Sequence, residues 1–306
     1  MKVIFMGTPD FAVPCLKVLL TSDVDVVGVV SQPDRPKGRG RKLQPTPTAA
    51  VARDHKIPLF QWDRLNQDSY DELKSLNADL FVVVAYGKIL PKRYLDLPRL
   101  GCWNIHASIL PALRGAAPIQ WALIEGLTET GVSLMQLDEG MDTGPVALIN
   151  RLPIGAKDTA ATLHDKLSAL GAETLGSALA QLSSNTLHFE PQEHEKATHA
   201  RPLNKGDGEL DWSMNAEQTV NRFRGMTPWP GCRAIVRNEH LKIIEMTIGE
   251  GHGQGGQVLS VDAHGITVAC GNGALLISRV QRPNRGPVSA LEYVRAMNLK
   301  PGDSLL

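Results

Sequence analysis

The first half of the chain alternates short apolar runs with segments of helical periodicity. Apolar runs begin near residues 3, 24, 58, 80 and 102, and helical segments begin near residues 11, 47, 71 and 118. The continuous apolar run at 80–85 is typical of a strand that is covered on both faces. This βαβ rhythm predicts an α/β domain with a Rossmann-like, open parallel sheet and helices on both faces.

The pattern changes twice further along the chain. Two β-rich runs at 131–137 and 144–149 are joined by turn-forming residues, which favours a hairpin-like connection, and 162–182 has helical periodicity. Residues 183–204 are polar, and beyond them the apolar runs become short, which predicts a small β-barrel or sandwich. The sequence therefore predicts a first domain at 1–189, a linker at 190–206 and a second domain at 207–306.

Composition narrows the class of protein. The chain has 306 residues with 32 basic and 32 acidic side chains, so any surface for nucleic acid must be a local one. The four cysteines, Cys15, Cys102, Cys232 and Cys270, form no CxxC pair, which indicates reduced, buried thiols without a disulfide frame or a metal site. No signal peptide and no apolar run of about 20 residues is visible. We expect a soluble, cytoplasmic protein that holds no metal.

One polar constellation stands out in this α/β pattern. If 102–109 is a strand, Asn104, His106 and Ser108 point to the same face, and Asp142 in the turn-rich segment 138–144 is a natural acidic partner. An Asn N–H or a protonated His can stabilise an oxyanion, and a carboxylate can accept the proton of an attacking amine. This set suits direct acyl transfer to an amine. The alternative is that the Asn and His are structural and that the Asp shapes its turn.

A dinucleotide cofactor does not fit the chain. The turn after the first strand has one glycine, Gly7, followed by Pro9, where a pyrophosphate cradle needs GxGxxG. A nicotinamide-dependent oxidoreductase is therefore excluded.

A series of motifs carries a resemblance to a known family. In order, they read GTPDF, QPDRPKGRG, VVVAYGKILP, NIHASILPALRGAAPIQWAL and DEGMDTG. From Lys2 to the C-terminus, this series resembles the methionyl-tRNA formyltransferases of the 10-formyltetrahydrofolate-dependent formyltransferase family. The resemblance implies that 1–189 is a catalytic, folate-binding domain and that 207–306 is an OB-like, tRNA-binding domain. The implied reaction transfers a formyl group from 10-formyltetrahydrofolate to the amino group of initiator methionyl-tRNA, for translation initiation.

The resemblance also assigns roles to individual residues. It implies that Asn104, His106 and Asp142 are catalytic. It further implies that the turn after the strand lines the folate pocket, through Ser108, Ile109, Leu110 and Pro111. That turn reads SILP here, where the family has an SLLP-like sequence.

A basic loop adds a candidate surface for nucleic acid. Residues 35–42 hold five positive charges interleaved with Gly and Pro, which rules out a helix or a central strand and predicts a mobile surface loop. Arg and Lys can follow a phosphate backbone, and Arg can stack on unpaired bases. In the family that the chain resembles, this loop inserts at the acceptor end of the tRNA. That resemblance points to Arg39, with Arg41 and Lys42 behind it, whereas the alternative is a solvated charged loop.

Two other functions stay open from the sequence alone. One is a formyltransferase for a small amine, such as an amino sugar nucleotide, which would not need the basic loop. The other is a non-catalytic tRNA-binding protein, which would have no use for Asn104, His106 and Asp142. We expect the protein to be a monomer.

Overall fold

The chain is described by a computed structural model that covers residues 1–37, 42–236 and 239–305. The described residues form seventeen strands and eight α-helices. The strands are β1 (Lys2–Gly7), β2 (Asp25–Val30), β3 (Arg35–Lys37), β4 (Lys42–Gln44), β5 (Leu59–Phe60), β6 (Leu80–Val84), β7 (Cys102–His106), β8 (Arg114–Gly115), β9 (Glu129–Gln136), β10 (Val146–Pro153), β11 (His199–Ala200), β12 (Cys232–Val236), β13 (Glu239–Gly249), β14 (Val258–Asp262), β15 (Gly265–Ala269), β16 (Ala274–Gln281) and β17 (Pro287–Ser289). The helices are α1 (Val13–Thr21), α2 (Pro47–Asp54), α3 (Gln67–Ser75), α4 (Lys92–Leu95), α5 (Pro118–Ile124), α6 (Ala160–Ser183), α7 (Ala216–Met226) and α8 (Ala290–Met297).

The chain divides into two compact units. The first unit comprises residues 1–118, 129–153 and 164–200, and the second comprises 119–128, 154–163 and 201–306. Residues 190–200, which the sequence pattern assigns to a linker, lie in the first unit.

The first unit is built on a seven-stranded sheet of order β10-β9-β7-β6-β1-β2-β5. The strands from β7 to β5 in this order are parallel, as the βαβ rhythm predicts. At one edge, β9 pairs antiparallel with β7 and with β10, and its pairing with β10 is the hairpin-like connection that the sequence favours. A short connection between β9 and β10 has no room for a crossover helix, so β10 must return antiparallel.

Helices cover both faces of this sheet, as predicted. On one face, side chains of β1 and β6 pack with Leu73 of α3 and Tyr94 of α4. On the other face, Gly171 of α6 lies against Ile105 of β7 and Val132 of β9. Every residue of β6 is buried, which explains its unbroken apolar sequence.

The second unit holds an antiparallel sheet of order β12-β13-β16-β15-β14, with β17 paired to β16. Its apolar core includes Cys232, Ile243, Val268 and Ile277, one from each of four strands. This architecture agrees with the β-barrel-like domain that the sequence predicts. The sequence pattern missed β17 and α8, which follow a glycine- and proline-containing segment.

The state of the cysteines agrees with the prediction from the sequence. The four cysteines are free and buried, and burial raises the pKa of Cys15, Cys102 and Cys232 to about 12. Within the ranges that the structure covers, no helix has both the length and the apolar character to cross a membrane.

Candidate active site

Strand β7 carries two of the predicted catalytic residues. Asn104 and His106 alternate along it and therefore share a face, with His106 as the last residue of the strand. The prediction that the strand extends to 109 is wrong, because the chain turns after His106. Ser108 lies in that turn, where its Oγ donates a hydrogen bond to the carbonyl oxygen of Ala112 at 2.6 Å.

The imidazole of His106 is fixed by a backbone carbonyl. Its Nε2 lies 3.1 Å from the carbonyl oxygen of Leu113, and the side chain is 7% exposed. A carbonyl oxygen only accepts, so Nε2 must carry the hydrogen. Leu113 has a left-handed backbone (φ 58°), and its N–H donates to Thr198 Oγ1 at 2.9 Å. The ring is therefore held with Nδ1 facing away from Leu113.

Asp142 reaches the free side of this ring. Its Oδ2 lies 3.6 Å from His106 Nδ1, beyond a good hydrogen bond but close enough for an ion pair with a protonated imidazole. The same oxygen accepts a 2.7 Å hydrogen bond from the N–H of Gly115. Gly115 has a φ of 114°, and a Cβ there would lie 2.8 Å from the carbonyl oxygen of Ala200. Only glycine suits this position.

The loop that carries Asp142 folds back along β7. It leaves β9 beside the start of β7, where the N–H of Leu137 donates to the carbonyl oxygen of Cys102. It then brings Asp142 to the end of β7, beside His106. The pairing of these two residues, predicted only from their chemistry, is therefore a contact in the structure.

The side-chain amide of Asn104 is half-buried and makes no hydrogen bond to any described residue. An amide offers two N–H donors and a carbonyl acceptor. Within the described part of the chain, its donors and acceptor are therefore available to solvent or to a ligand.

The predicted folate turn, residues 108–111, is held by one buried hydroxyl. Ser133 lies opposite His106 in the register of β9 with β7. Its Oγ donates to the carbonyl oxygen of Ser108 at 2.7 Å and accepts from the N–H of Leu110 at 3.0 Å. Leu110 is buried, Ile109 is half-buried, and the Leu110–Pro111 peptide is cis. Leu110 and Pro111 also line a cavity of about 430 Å³.

The basic loop is only partly described. Arg39 and Arg41 lie outside the described residues, and Lys42 begins β4, whose backbone pairs antiparallel with β3. Asp34 lies at the base of this two-stranded ribbon and accepts from Arg53 Nη2 and Gln61 Nε2, each at 2.7 Å. Burial favours a higher pKa for Asp34, but these hydrogen bonds outweigh it and hold the pKa below its usual value. The loop is therefore anchored at its start.

Sequence reasoning missed three groups that shape this site. Gly115 was recognisable only as one of several small residues that allow close approach. Leu113 contacts His106 through its backbone carbonyl, so its side chain gives no signal in the sequence. Ser133 is a single polar residue in the mostly apolar strand β9, and the sequence pattern does not mark it as part of the site. As for metals, no group of three or more His, Cys, Asp or Glu residues that could hold an ion occurs within residues 1–37, 42–236 and 239–305.

An amide, an imidazole and a carboxylate at one strand end of an open α/β sheet suit an acyl-transferring enzyme that uses no covalent nucleophile. Comparison with known families specifies the group that is transferred. Residues 1–179 match the family model described as Formyl transferase, and residues 202–298 match the Formyl transferase C-terminal domain. The chain belongs to the formyl transferase family.

The relatives that the chain resembles share almost their full length with it. The methionyl-tRNA formyltransferase of Geobacter sulfurreducens is 44% identical over 306 residues, which is 100% of this chain and 96% of that protein. The methionyl-tRNA formyltransferase of Pseudomonas fluorescens is 47% identical over 284 residues, which is 92% of this chain and 90% of that protein.

Solved structures with little sequence identity share the fold. The N-formyltransferase from Helicobacter canadensis, solved with folinic acid and dTDP-3-aminofucose, gives a TM-score of 0.69 at 18% identity. That match covers 92% of this chain and 99% of the other. HypX from Aquifex aeolicus, solved with tetrahydrofolic acid, gives a TM-score of 0.63 at 14% identity over 96% of this chain and 47% of the other.

Proposed function

We propose that this chain transfers the formyl group of 10-formyltetrahydrofolate to the free amino group of methionyl-initiator tRNA. The product is N-formylmethionyl-tRNA, which serves translation initiation. The observation that carries the proposal is the 3.6 Å approach of Asp142 to His106, beside the free amide of Asn104. It occurs in a chain that matches methionyl-tRNA formyltransferases along its whole length.

The residues at the end of β7 fit this co-substrate. 10-Formyltetrahydrofolate supplies a formyl carbon that an amine can attack, with tetrahydrofolate as the leaving group. Asn104 can donate an N–H to the formyl oxygen as negative charge develops there, because its amide has no partner among the described residues. The 108–111 turn, which Ser133 holds rigid, offers a preformed wall for the folate, through Ser108, Ile109, Leu110 and Pro111.

His106 and Asp142 handle charge and protons. An imidazolium form of His106, paired with the Asp142 carboxylate, would add positive charge at the end of β7, where negative charge develops on the formyl oxygen. Asp142 engages Gly115 and His106 through Oδ2, while its Oδ1 makes no hydrogen bond to described residues. Oδ1 can therefore accept the proton that the amine loses on attack, directly or through a water molecule.

The tRNA is held in part by the basic loop. Arg39, Arg41 and Lys42 bring three positive charges to the sequence between β3 and the start of β4. Charge at this position attracts the phosphates of an acceptor end.

The small-amine alternative rests on the Helicobacter canadensis structure, which was solved with dTDP-3-aminofucose. At 18% identity that likeness shows only the fold, whereas relatives at 44–47% identity over the chain are methionyl-tRNA enzymes. The tRNA acceptor is therefore favoured. The second alternative, a non-catalytic tRNA-binding protein, is less favoured than the enzyme because it would not need the contact of His106 with Asp142.

A formylation assay separates these functions. Purified protein is incubated with 10-formyltetrahydrofolate and, in parallel, with methionine-charged initiator tRNA, the same tRNA uncharged, and an amino sugar nucleotide. Formylated product in the charged-tRNA reaction alone is the expected result. Product only with the amino sugar would establish the small-amine enzyme, and tRNA binding without any product would establish the non-catalytic binder.

A further inference from the structure

Gln192 connects the predicted linker to the loop that carries Asp142. It lies in the first unit and is 9% exposed. Its Nε2 donates to two loop carbonyl oxygens, that of Asp142 at 2.9 Å and that of Gly144 at 2.7 Å. The two hydrogens of one amide therefore hold the backbone on both sides of residue 143.

Arg114 holds the other end of the same amide. Gln192 Oε1 accepts from Arg114 Nε at 3.1 Å and from Arg114 Nη2 at 2.6 Å. A guanidinium only donates, so the oxygen of Gln192 must face Arg114 and the nitrogen must face the loop. All four hydrogen-bonding positions of the amide are then used, which fixes its orientation completely.

The guanidinium of Arg114 makes its side-chain hydrogen bonds to Gln192 and His194. Arg114 is 4% exposed, and it makes no ion pair with a described carboxylate; Nη2 also contacts His194 Nδ1 at 3.0 Å. Burying a positive charge among neutral acceptors costs free energy. We therefore assign Arg114 the role of orienting the Gln192 amide. Arg114 lies between Leu113 and Gly115, the two residues that hold His106 and Asp142.

The loop needs such a restraint because its backbone is strained. Asp142 has a φ of 54°, in the left-handed region, which residues other than glycine adopt less readily. Such a residue persists only where its surroundings determine it. Two residues on, Gly144 lies so close to Gln136 that a Cβ would overlap the carbonyl oxygen of Gln136.

We propose that Gln192 is a positioning residue for Asp142. By bonding the carbonyl oxygens of Asp142 and Gly144, it holds the carboxylate at its distance from His106 Nδ1 and with Oδ1 free. In this role Gln192 acts through Asp142 and is not itself a catalytic group. This inference rests on the catalytic role of Asp142 in the proposed function.

Two substitutions test the restraint in different ways. Gln192→Leu removes all four hydrogen bonds. Gln192→Glu has nearly the same shape and keeps the contact with Arg114, but it turns a carboxylate oxygen toward two carbonyl oxygens.

Both variants should lower kcat roughly 10- to 100-fold, since a misplacement of about 1 Å can cost about 100-fold in rate. The KM values for both substrates should stay within about threefold, because binding groups are untouched. Gln67→Glu, at an exposed position in the first turn of α3, is the matched control and should leave kcat unchanged.

A double-mutant cycle with Asp142→Asn shows whether Gln192 acts through Asp142. In the Asp142→Asn background, Gln192→Leu should lower kcat less than about threefold further, because residues that act as a unit are not additive. An equal factor in both backgrounds would make Gln192 a general structural residue and overturn the proposal. So would wild-type kcat in the folded Gln192→Glu variant. Wild-type kcat in Asp142→Asn itself would overturn the catalytic role of Asp142 and, with it, any positioning by Gln192. The formylation assay on the unsubstituted protein distinguishes that failure from a wrong overall function.

Discussion

The three consecutive residues Leu113, Arg114 and Gly115 hold the candidate catalytic pair. The carbonyl oxygen of Leu113 accepts from His106, and the N–H of Gly115 donates to Asp142. Arg114, between them, orients Gln192, which bonds the backbone of Asp142. Residue types suggest His106 and Asp142 from the sequence, but two of these contacts use backbone atoms and leave no sequence signal. The Gln192 contact lies in a polar stretch that resembles a linker in the sequence.

In the second unit, Asp207 illustrates how one carboxylate sets stability at low pH. Its hydrogen bond with Arg201 is the largest cause, and it lowers the pKa of Asp207. Burial of the carboxyl group acts in the opposite direction and raises the pKa. A hydrogen bond from the N–H of Asn204 and the positive charges of Arg201 and Arg222 lower the pKa further. The result is a pKa of about 2, against an ordinary value of 3.8. Because the folded-state pKa is the lower one, the stabilisation is present above pH 3.8 and is lost as the pH falls to about 2.

We therefore expect Asp207→Asn to destabilise the protein at pH 7 by about 1.5 to 3 kcal/mol, the range for hydrogen bonds to charged groups. Thermal unfolding monitored by circular dichroism measures the effect. The difference from the unsubstituted protein should shrink as the pH falls toward 2, whereas Glu250→Gln, at an exposed position, should show no such trend. A difference that is the same at pH 7 and pH 2 would contradict this account of Asp207.

At the scale of elements, the sequence predicts the ends of a helix or strand best where neighbouring residues in the chain determine them. Helix α2 begins where predicted, because Thr46 caps it and Pro47 sits in its first turn. The strand at 102–109 was predicted too long, because Ser108 continues the polar alternation but uses its hydroxyl in a local turn. The antiparallel pairing of β9 with β7 and the return of the 137–145 loop depend on tertiary contacts, which periodicity does not encode.

The basic loop is the element whose predicted role is most open to test. In the variant Arg39→Ser, Arg41→Ser, Lys42→Ser, we expect the KM for methionyl-tRNA to rise at least about 10-fold and to depend less steeply on salt, since each lost phosphate contact reduces the logarithmic slope by roughly 0.7 to 0.9. The KM for 10-formyltetrahydrofolate should not change.

Steady-state kinetics at several salt concentrations measures both KM values. The control Lys17→Ala, Lys74→Ala removes exposed positive charge from α1 and α3 and should leave both KM values unchanged. Equal effects of the two variants would assign the loss to net charge and not to the loop.

At the scale of the whole molecule, charge is balanced and locally paired. The chain carries 32 basic and 32 acidic residues. In the second unit, Arg233, Arg279 and Arg282 form ion pairs with Glu209, Glu245 and Glu239 respectively. These three arginines are therefore paired with carboxylates inside the second unit. The fold class, the family and the residue types of the site were predictable from sequence, because motifs and periodicity carry them.

The central claim is that Asn104, His106 and Asp142 together catalyse formyl transfer. Its most direct test is the kcat for formylation of methionyl-initiator tRNA by the variants Asn104→Ala, His106→Ala and Asp142→Ala, each shown to be folded by circular dichroism. The exposed residues Asp54 and His55 provide the controls Asp54→Ala and His55→Ala. The account predicts that each site variant loses at least about 100-fold in kcat, as expected for an oxyanion donor or a proton-transfer group, while the controls keep their activity. Folded site variants that retain near-normal kcat would contradict it.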